Sequence, residues 1–148
     1  MLILKEIAKS FTDNGFKITA IFASYVRPEL LKCKNQGRFP FTFLLSEESL
    51  PQAPLSMQTQ GGIETIAPLL AVFHNDPEKA VEYKRQILKE IYFTAAGNLG
   101  QQDAMPFEYG DVLFHEFEPQ DGQITESADL IDGIYVSFEK LQIGASKI

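Results

Sequence analysis

The segment LLAVFHNDPEKA, Leu69–Ala80, joins an apolar run to the start of a helix. Its first five residues are apolar, which is typical of a strand buried on both faces of a sheet. Asp76 is a favoured N-cap residue, Pro77 suits the first helical position, and Glu78 complements the positive end of the helix dipole. The segment therefore predicts a buried strand that leads directly into a helix.

Five strands and two helices are predicted along the chain. Strands are predicted over residues 16–26, 39–45, 63–75, 107–119 and 130–143. The first alternates and is rich in β-branched and aromatic residues, whereas in the third Pro68 indicates a bulge or an edge before the apolar run. Apolar residues at helical spacing indicate a helix over residues 2–12 and a second helix from Pro77 to beyond Ile91. The segment Arg27–Arg38 is interpreted as a turn-rich connection with room for a helical turn.

The order α-β-β-β-α-β-β predicts an α+β fold. With 148 residues and no internal repeat, we expect one domain over residues 1–148. Its sheet should have four to five strands in a largely antiparallel or mixed arrangement, with two helices packed on one face. Residues 46–62 contain two prolines and two glycines, so they predict an exposed loop or hairpin arm.

Composition indicates a soluble protein made in a reducing compartment. Cys33 is the single cysteine, which excludes an internal disulfide framework and a zinc site of several cysteines. The longest apolar run, Ala67–Phe73, is far shorter than the roughly 20 residues that span a bilayer. Charges at Lys5, Glu6 and Lys9 interrupt the N-terminal segment, which therefore does not resemble a secretion signal.

The charge of the chain is unevenly distributed. The net charge of −7 argues against general affinity for nucleic acid, which needs clustered Lys and Arg. Residues 1–40 hold seven Lys and Arg against three acids, whereas residues 90–139 contain eleven acids and no Lys or Arg. One interpretation is a solvated acidic face that keeps the protein soluble. The other is that complementary surfaces meet between copies, or that an acidic wall faces something negative.

Two histidines are the candidates for chemistry. His74 ends the buried strand, where a general base or a metal ligand could stand, but no nucleophile motif accompanies it. His115 is predicted to share a strand face with Phe117, while Glu116 and Glu118 share the other face. A structural role for His74 is the favoured interpretation, and we predict no catalytic, cofactor or metal site. A small enzyme or a metal- or ligand-binding domain that uses His74 and His115 stays open as the alternative.

Four segments then follow one another: a short helix leading to YVRPELL, the run FPFTFLL, the run TIAPLLAVFHND with the helix PEKAVEYKRQILKEIY, and finally FEPQDGQITESADLIDGIYVSFEKLQI. In this order the chain resembles the tail-terminator, or tail-completion, proteins of long-tailed phages and prophages. The second segment is similar to that family's Pro-aromatic strand, and the third to its strand, acidic turn and amphipathic helix. The last is similar to its closing acidic loop and final strand. The resemblance covers nearly the whole chain and lies in element order.

The resemblance implies a structural virion protein, assembled in the bacterial cytoplasm, that is not an enzyme and needs no cofactor. Such proteins form a ring of six copies on the end of the tail tube, stop its polymerisation and present a surface to the neck proteins of the head. The implied partners are further copies of the chain, the tail-tube protein and a head-completion protein. DNA would only pass through an acidic lumen, and no membrane is involved.

A ring of identical chains needs two unlike patches that are complementary, and the cationic and anionic parts of this chain could supply them. The candidate residues for the subunit interface carry these charges: Arg27, Lys32, Lys34, Arg38, Glu116, Glu118 and Asp121. An adaptor that joins other proteins without forming a ring is a further alternative with the same sequence features.

Overall fold

The structure, a computed structural model, describes residues 2–37, 39–46, 59–60, 62–95 and 106–148. These residues form three helices: α1 (Leu2–Asp13), α2 (Val26–Gln36) and α3 (Pro77–Ala95). They also form nine strands: β1 (Ile18–Phe22), β2 (Phe41–Ser46), β3 (Thr59–Gln60), β4 (Ile63–Ile66), β5 (Leu69–His74), β6 (Phe107–Tyr109), β7 (Val112–Pro119), β8 (Asp129–Ile131) and β9 (Ile134–Lys147). A 3-10 turn, Ala23–Tyr25, leads into α2.

The long strand β9 organises the sheet, because other strands pair along both of its edges. One edge pairs with β5 and β4, and the other with β8 and β7. Beyond these, β2 pairs with β5, β1 with β2, β3 with β4, and β6 with β7. Only the β1–β2 pair is parallel among the described strands, so the sheet is mixed.

The strands β4 and β5 are two parts of the strand predicted over residues 63–75. Both run antiparallel to β9 in one register, with Ile66 opposite Ile143 and Leu69 opposite Lys140. Pro68 lies between them and has no N–H to donate, but its carbonyl accepts a hydrogen bond of 3.0 Å from the N–H of Leu141. The proline therefore interrupts the ladder while the chain stays on the same edge of β9.

Two apolar clusters, one on each face of the sheet, form the core. The larger cluster lies under α1 and α3, where Ile7, Phe11 and Leu88 are almost fully buried. The smaller cluster lies on the opposite face, where Leu30 of α2 packs with residues of the strands such as Phe73. Helix α2 covers only the half of the sheet formed by β1, β2, β5 and the first part of β9, since the smaller cluster is confined to that half.

The α+β class is confirmed, but the predicted count of four to five strands is wrong. Two runs that predict single strands each contain a two-residue turn. Gly110, with φ of 61°, separates β6 from β7, and Asp132 and Gly133, with φ of 51° and 79°, separate β8 from β9. In the second of these turns, two successive residues with positive φ are what a type I′ hairpin turn requires, so Asp132-Gly133 is the signal that the prediction of one strand over residues 130–143 overlooks.

The connection predicted over residues 27–38 is instead the helix α2. Leu30 is its single buried residue, which explains why apolar periodicity does not indicate the helix. Gly37, in the left-handed region at φ of 66°, ends α2 by donating its N–H to the carbonyls of Cys33 and Lys34. The two predicted helices, α1 and α3, do share one face of the sheet, but α2 lies on the other face.

The arm predicted over residues 46–62 falls largely outside the described residues. At its start Ser46 ends β2, and near its end Thr59–Gln60 pairs with Ile63 and Glu64 of β4. Residues 47–58 and 61 are not described, and the prediction of an exposed arm concerns mainly these.

Candidate functional site

The joint between β5 and α3 is built as the sequence predicts. Asp76 Oδ1 accepts hydrogen bonds from the N–H groups of Glu78 and Lys79 at 2.9 and 3.3 Å. The carbonyl of Asp76 accepts the N–H of Ala80 at 3.1 Å. Asp76 is therefore the N-cap of α3, and its carboxylate serves the amides that the first turn leaves without helical partners.

His74 lies at the end of β5, and its ring contacts the backbone of the joint between β5 and α3. Its Nδ1 accepts the N–H of Asp76 at 3.0 Å, and the centre of its ring lies 5.6 Å from that of Phe39. Burial is the main cause that lowers the pKa of His74, so the neutral ring is favoured at neutral pH. Because Nδ1 is an acceptor in this bond, the neutral ring carries its proton on Nε2, and a ligand would have to meet that nitrogen.

His115 lies in a β-bulge of β7. The pairing of β7 with β9 shifts register between Phe114 and Glu116, and the Nε2 of His115 lies 3.1 Å from the Oγ of Ser146. The bulge allows Phe114 and Phe117, three residues apart, both to enter the core. The prediction that His115 shares a face with Phe117 and points away from Glu116 is therefore wrong, because regular alternation stops at the bulge.

The two histidines lie at opposite ends of β9. His74 is opposite Tyr135, whereas His115 contacts Ser146. At about 3.3 Å per residue, the strand between those two positions is about 35 Å long. The structure thus does not bring His74 and His115 together in one site. Among the described residues, no three His, Cys, Asp or Glu side chains are grouped so that they could hold a metal ion.

Two of the predicted interface cations contact an acid of their own chain. Arg27 Nη2 lies 3.4 Å from Asp132 Oδ2, and Lys34 Nζ donates to the carbonyl of Asp132 at 2.8 Å. Asp132 is part of the β8–β9 turn, so these contacts fasten α2 to that turn. Part of the charge complementarity that the sequence predicts between copies is therefore satisfied inside one subunit.

The other candidates lie at the surface or outside the described residues. The Lys32 side chain is 74% exposed and lies 4.0 Å from Glu29, which is the longest of the described ion pairs. Asp121 is exposed in the loop after β7. Arg38 is not among the described residues, so its predicted place at the interface stays a prediction.

Glu116 and Glu118 lie side by side on the outer face of β7, the face opposite α1 and α3. Partial burial and the neighbouring carboxyl of Glu118 raise the pKa of Glu116. Opposite Glu116 on β9 is Gly144, where an added Cβ would lie 3.4 Å from the Cβ of Glu116. The Glu116 Oε2 lies 3.8 Å from the same added Cβ, so the Glu116 side chain lies over Gly144 while its carboxyl adjoins that of Glu118.

Sequence reasoning missed a buried ion pair between α3 and β9. The side chains of Lys84 and Glu139 are 0% and 2% exposed, with Nζ and Oε1 3.3 Å apart. Lys84 also donates to the carbonyls of Thr125 and Phe138, and Glu139 accepts the N–H of Thr125 at 2.7 Å. Burial lowers the pKa of Lys84, and Glu139 offsets part of that effect.

This network fastens the acidic loop after β7 to the core, and the sequence contains a signal for it. Lys84 stands four residues after Ala80 and four before Leu88, so it occupies the apolar stripe of α3. A lysine in such a stripe must be paired or must reach solvent, since an unpaired buried charge is costly. The partner, Glu139, could not be identified from spacing, because the contact joins residues 55 positions apart.

No family model, curated protein or solved structure matches this chain. In the described part of the chain, no helix is both long enough and apolar enough to cross a membrane. The function must therefore be inferred from the chain's own surfaces and from the order of its elements.

Proposed function

We propose that this chain is a structural subunit of a phage or prophage tail, a tail terminator. In this role, copies form a six-membered ring on the end of the tail tube, stop its polymerisation and join it to the neck of the head. The partners are other copies of the chain, the tail-tube protein and a head-completion protein, and the site of action is the virion. The order of the segments that resemble this family supports the proposal.

The observation that carries the proposal is the separation of unlike charges over one sheet. Lys32 is exposed on α2, which covers one half of the outer face, whereas Glu116 and Glu118 lie together on the other half. A ring of identical chains needs a head-to-tail contact between two different patches of each subunit. Two unlike patches on the same face are consistent with that requirement.

The internal contacts of the subunit favour a scaffold that keeps its shape. Asp76 caps α3, and the buried pair of Lys84 and Glu139 ties α3 to β9 and to the loop after β7. Closed rings require every subunit to present its two patches at the same angle. Contacts that fix helices and loops to the central strand support that geometry.

The exposed acids of the loop after β7 suit a channel through which DNA passes. Asp121 in this loop and Asp129 at the start of β8 are exposed, and the residues from 90 to 139 include no Lys or Arg, although Glu126 pairs with Arg85 at 2.7 Å. Facing the lumen, these carboxylates would repel phosphates, so DNA would not adhere to the ring.

Deletion of the gene from the genome that carries it, followed by electron microscopy of the particles, tests the proposal. We expect headless tails of irregular and excessive length, because nothing would stop polymerisation of the tube. Restoring the gene on a plasmid should restore tails of uniform length joined to heads. Normal virions from the deletion strain, or a genome without genes for a tail tube, would refute the proposed role.

A further inference from the structure

The outer face of the sheet bears an acidic strip that no described helix covers. The strip consists of the outward side chains of Glu116 and Glu118 on β7 with Gln142 and Gly144 opposite them on β9. Helices α1 and α3 pack on the inner face, and α2 lies over the other half of the outer face. In the described ranges no Lys or Arg forms an ion pair with either glutamate of the strip.

The carboxylates of Glu116 and Glu118 repel each other as long as no cation lies between them. Burial of Glu116 and the adjacent Glu118 both act against its charged form. A cation placed between the two carboxylates would remove this repulsion and would gain two charge-assisted contacts. The strip is therefore suited to a basic side chain from a partner.

Helix α2 presents a surface stripe that complements the strip. Pro28, Leu31, Lys32 and Asn35 follow the spacing that aligns residues along one side of a helix, and all four are exposed. Leu31 is 61% exposed and the Lys32 side chain is 74% exposed. The stripe thus offers one cation and one large apolar side chain, and Leu113, partly buried next to the strip, offers an apolar counterpart.

These two surfaces cannot meet within one chain. Helix α2 is held over its half of the sheet by Leu30 and by the contacts of Arg27 and Lys34 with Asp132. The strip lies along the second half of β9, so both surfaces are fixed on one sheet. Each copy therefore carries one surface of each kind, with Lys32 held only by its 4.0 Å contact with Glu29 among the described ion pairs, and the natural partner of each surface is the other surface on a second copy.

We propose that α2 of one copy docks across the acidic strip of the next copy, with Lys32 between Glu116 and Glu118 and Leu31 against Leu113. The contact joins two different patches, so it repeats from copy to copy and closes into a ring or continues as a filament. The inference deepens the proposed function, because it rests on the ring and names the surfaces that form it.

Concentration-dependent NMR of the isotope-labelled full chain tests whether the surfaces meet. We expect amide signals of α2 and β7 to shift together as the protein is concentrated to about 1 mM, a range that reveals even weak association. Signals of α1, on the inner face, should shift less. Constant signals in α2 and β7 over this range would overturn the proposal.

A charge swap then tests the pairing itself. Lys32→Glu alone and Glu118→Lys alone should each weaken self-association about tenfold or more, whereas the chain that carries both changes should recover most of it. Lys5→Glu is the matched control, since it makes the same charge change at an exposed position of α1. An equal effect of Lys32→Glu and Lys5→Glu, or no recovery in the double variant, would overturn the pairing.

The same variants separate this inference from the proposed function. If Lys32→Glu weakens association while deletion of the gene leaves tails normal, the contact between copies stands and the terminator role fails. If deletion gives overlong tails while Lys32→Glu leaves both association and tail length unchanged, the terminator role stands and this contact is wrong.

Discussion

At the scale of single residues, Asp76 shows how a pattern typical of catalysis also arises from backbone chemistry. An aspartate and a histidine at the end of a buried strand could form part of an active site. Here the aspartate accepts two amides of α3, and the histidine accepts the N–H of Asp76. Both side chains are engaged by the backbone of the joint, which accounts for their presence there without a reaction.

Replacement of Asp76 tests its structural role. Asp76→Ala should lower the free energy of unfolding by about 1 kcal/mol, because two amides at the start of α3 lose their acceptor. Asp76→Asn, which keeps a capping oxygen, should retain most of the stability. Urea unfolding followed by circular dichroism measures both differences. A chain with Asp76→Ala that unfolds at the wild-type midpoint would show that the cap contributes nothing.

Glu116 should make the stability of the subunit depend on pH. Its pKa in the folded chain is raised above the ordinary value of 4.5, so the folded chain holds this proton at pH values where the unfolded chain has released it. Its contribution to the free energy of unfolding therefore falls as pH rises through that range. The free energy of unfolding of the Glu116→Gln chain should be higher than that of the wild type by about a few tenths of a kcal/mol at pH 7. The difference should be smaller near pH 4.

Urea unfolding at the two pH values measures this difference, and Glu108→Gln at an exposed position of β6 is the control. The Glu116→Gln chain should also associate less tightly with itself, since the contact proposed for Lys32 loses one of its carboxylates. A gain in stability together with a loss of association would not arise from a purely structural role. Equal stability of the variant and the wild type at both pH values would contradict the repulsion between Glu116 and Glu118.

Residue patterns indicated the capping role of Asp76 because capping depends on neighbours within one turn. They did not indicate the orientation of His115, since a bulge shifts the alternation on which that prediction rests. The pair of Lys84 and Glu139 was likewise inaccessible, because the fold alone brings those two residues together. Local chemistry was thus predictable, and long-range pairing was not.

At the scale of secondary-structure elements, the ion pair of Lys84 and Glu139 fastens α3, β9 and the loop after β7. Lys84→Met should lower the free energy of unfolding by about 3–5 kcal/mol, because it leaves Glu139 buried without its cation. Lys79→Met, at an exposed position of the same helix, should change stability little. The double variant with Lys84→Met and Glu139→Gln should lose less free energy of unfolding than the two single variants lose together. A strictly additive double variant would show that the pair is not coupled.

Two glycine turns allow backbone strain to be separated from packing. Gly133→Ala should lower the free energy of unfolding by about 1 kcal/mol, because a φ of 79° strains a residue that has a Cβ. Packing adds nothing to this loss, since no atom lies within 4 Å of the new Cβ. At Gly110, with φ of 61°, the new Cβ would also lie 2.5 Å from Ser10 Oγ on α1. Gly110→Ala should therefore be clearly less stable than Gly133→Ala in thermal unfolding. Equal losses would mean that α1 moves freely at this contact.

The elements that the sequence indicated correctly are those with many buried positions. Helix α3 and strand β5 have strong apolar patterns, whereas α2 buries only Leu30 and has almost none. Two of the extra strands arise because turns at Gly110 and at Asp132–Gly133 lie inside runs that predict single strands. A third arises because Pro68 divides β4 from β5, and the fourth, β3, lies in the predicted arm. Composition averaged over such a run favours one strand, although two residues are enough to reverse the chain.

At the scale of the whole molecule, the described helices cover one half of the outer face and leave the strands of the other half to present a different surface. The separation of basic and acidic segments is visible in the sequence, but their positions on one face depend on how the strands pair with β9. The sequence also does not reveal that Asp132 contacts Arg27 and Lys34 inside the subunit. Of the cations of α2, Lys32 therefore becomes the one assigned to a neighbouring copy.

Salt should weaken the association of copies if ion pairs hold the contact. Between about 0.1 M and 1 M sodium chloride the Debye length falls from about 10 Å to about 3 Å, so attraction between Lys32 and the two glutamates is largely screened. We expect the dissociation constant, measured by analytical ultracentrifugation, to rise several-fold over this range. A chain with Glu116→Gln and Glu118→Gln should associate weakly at both concentrations and show little salt dependence. Stronger association at high salt would instead assign the contact to apolar side chains such as Leu31, because such salt does not screen hydrophobic attraction.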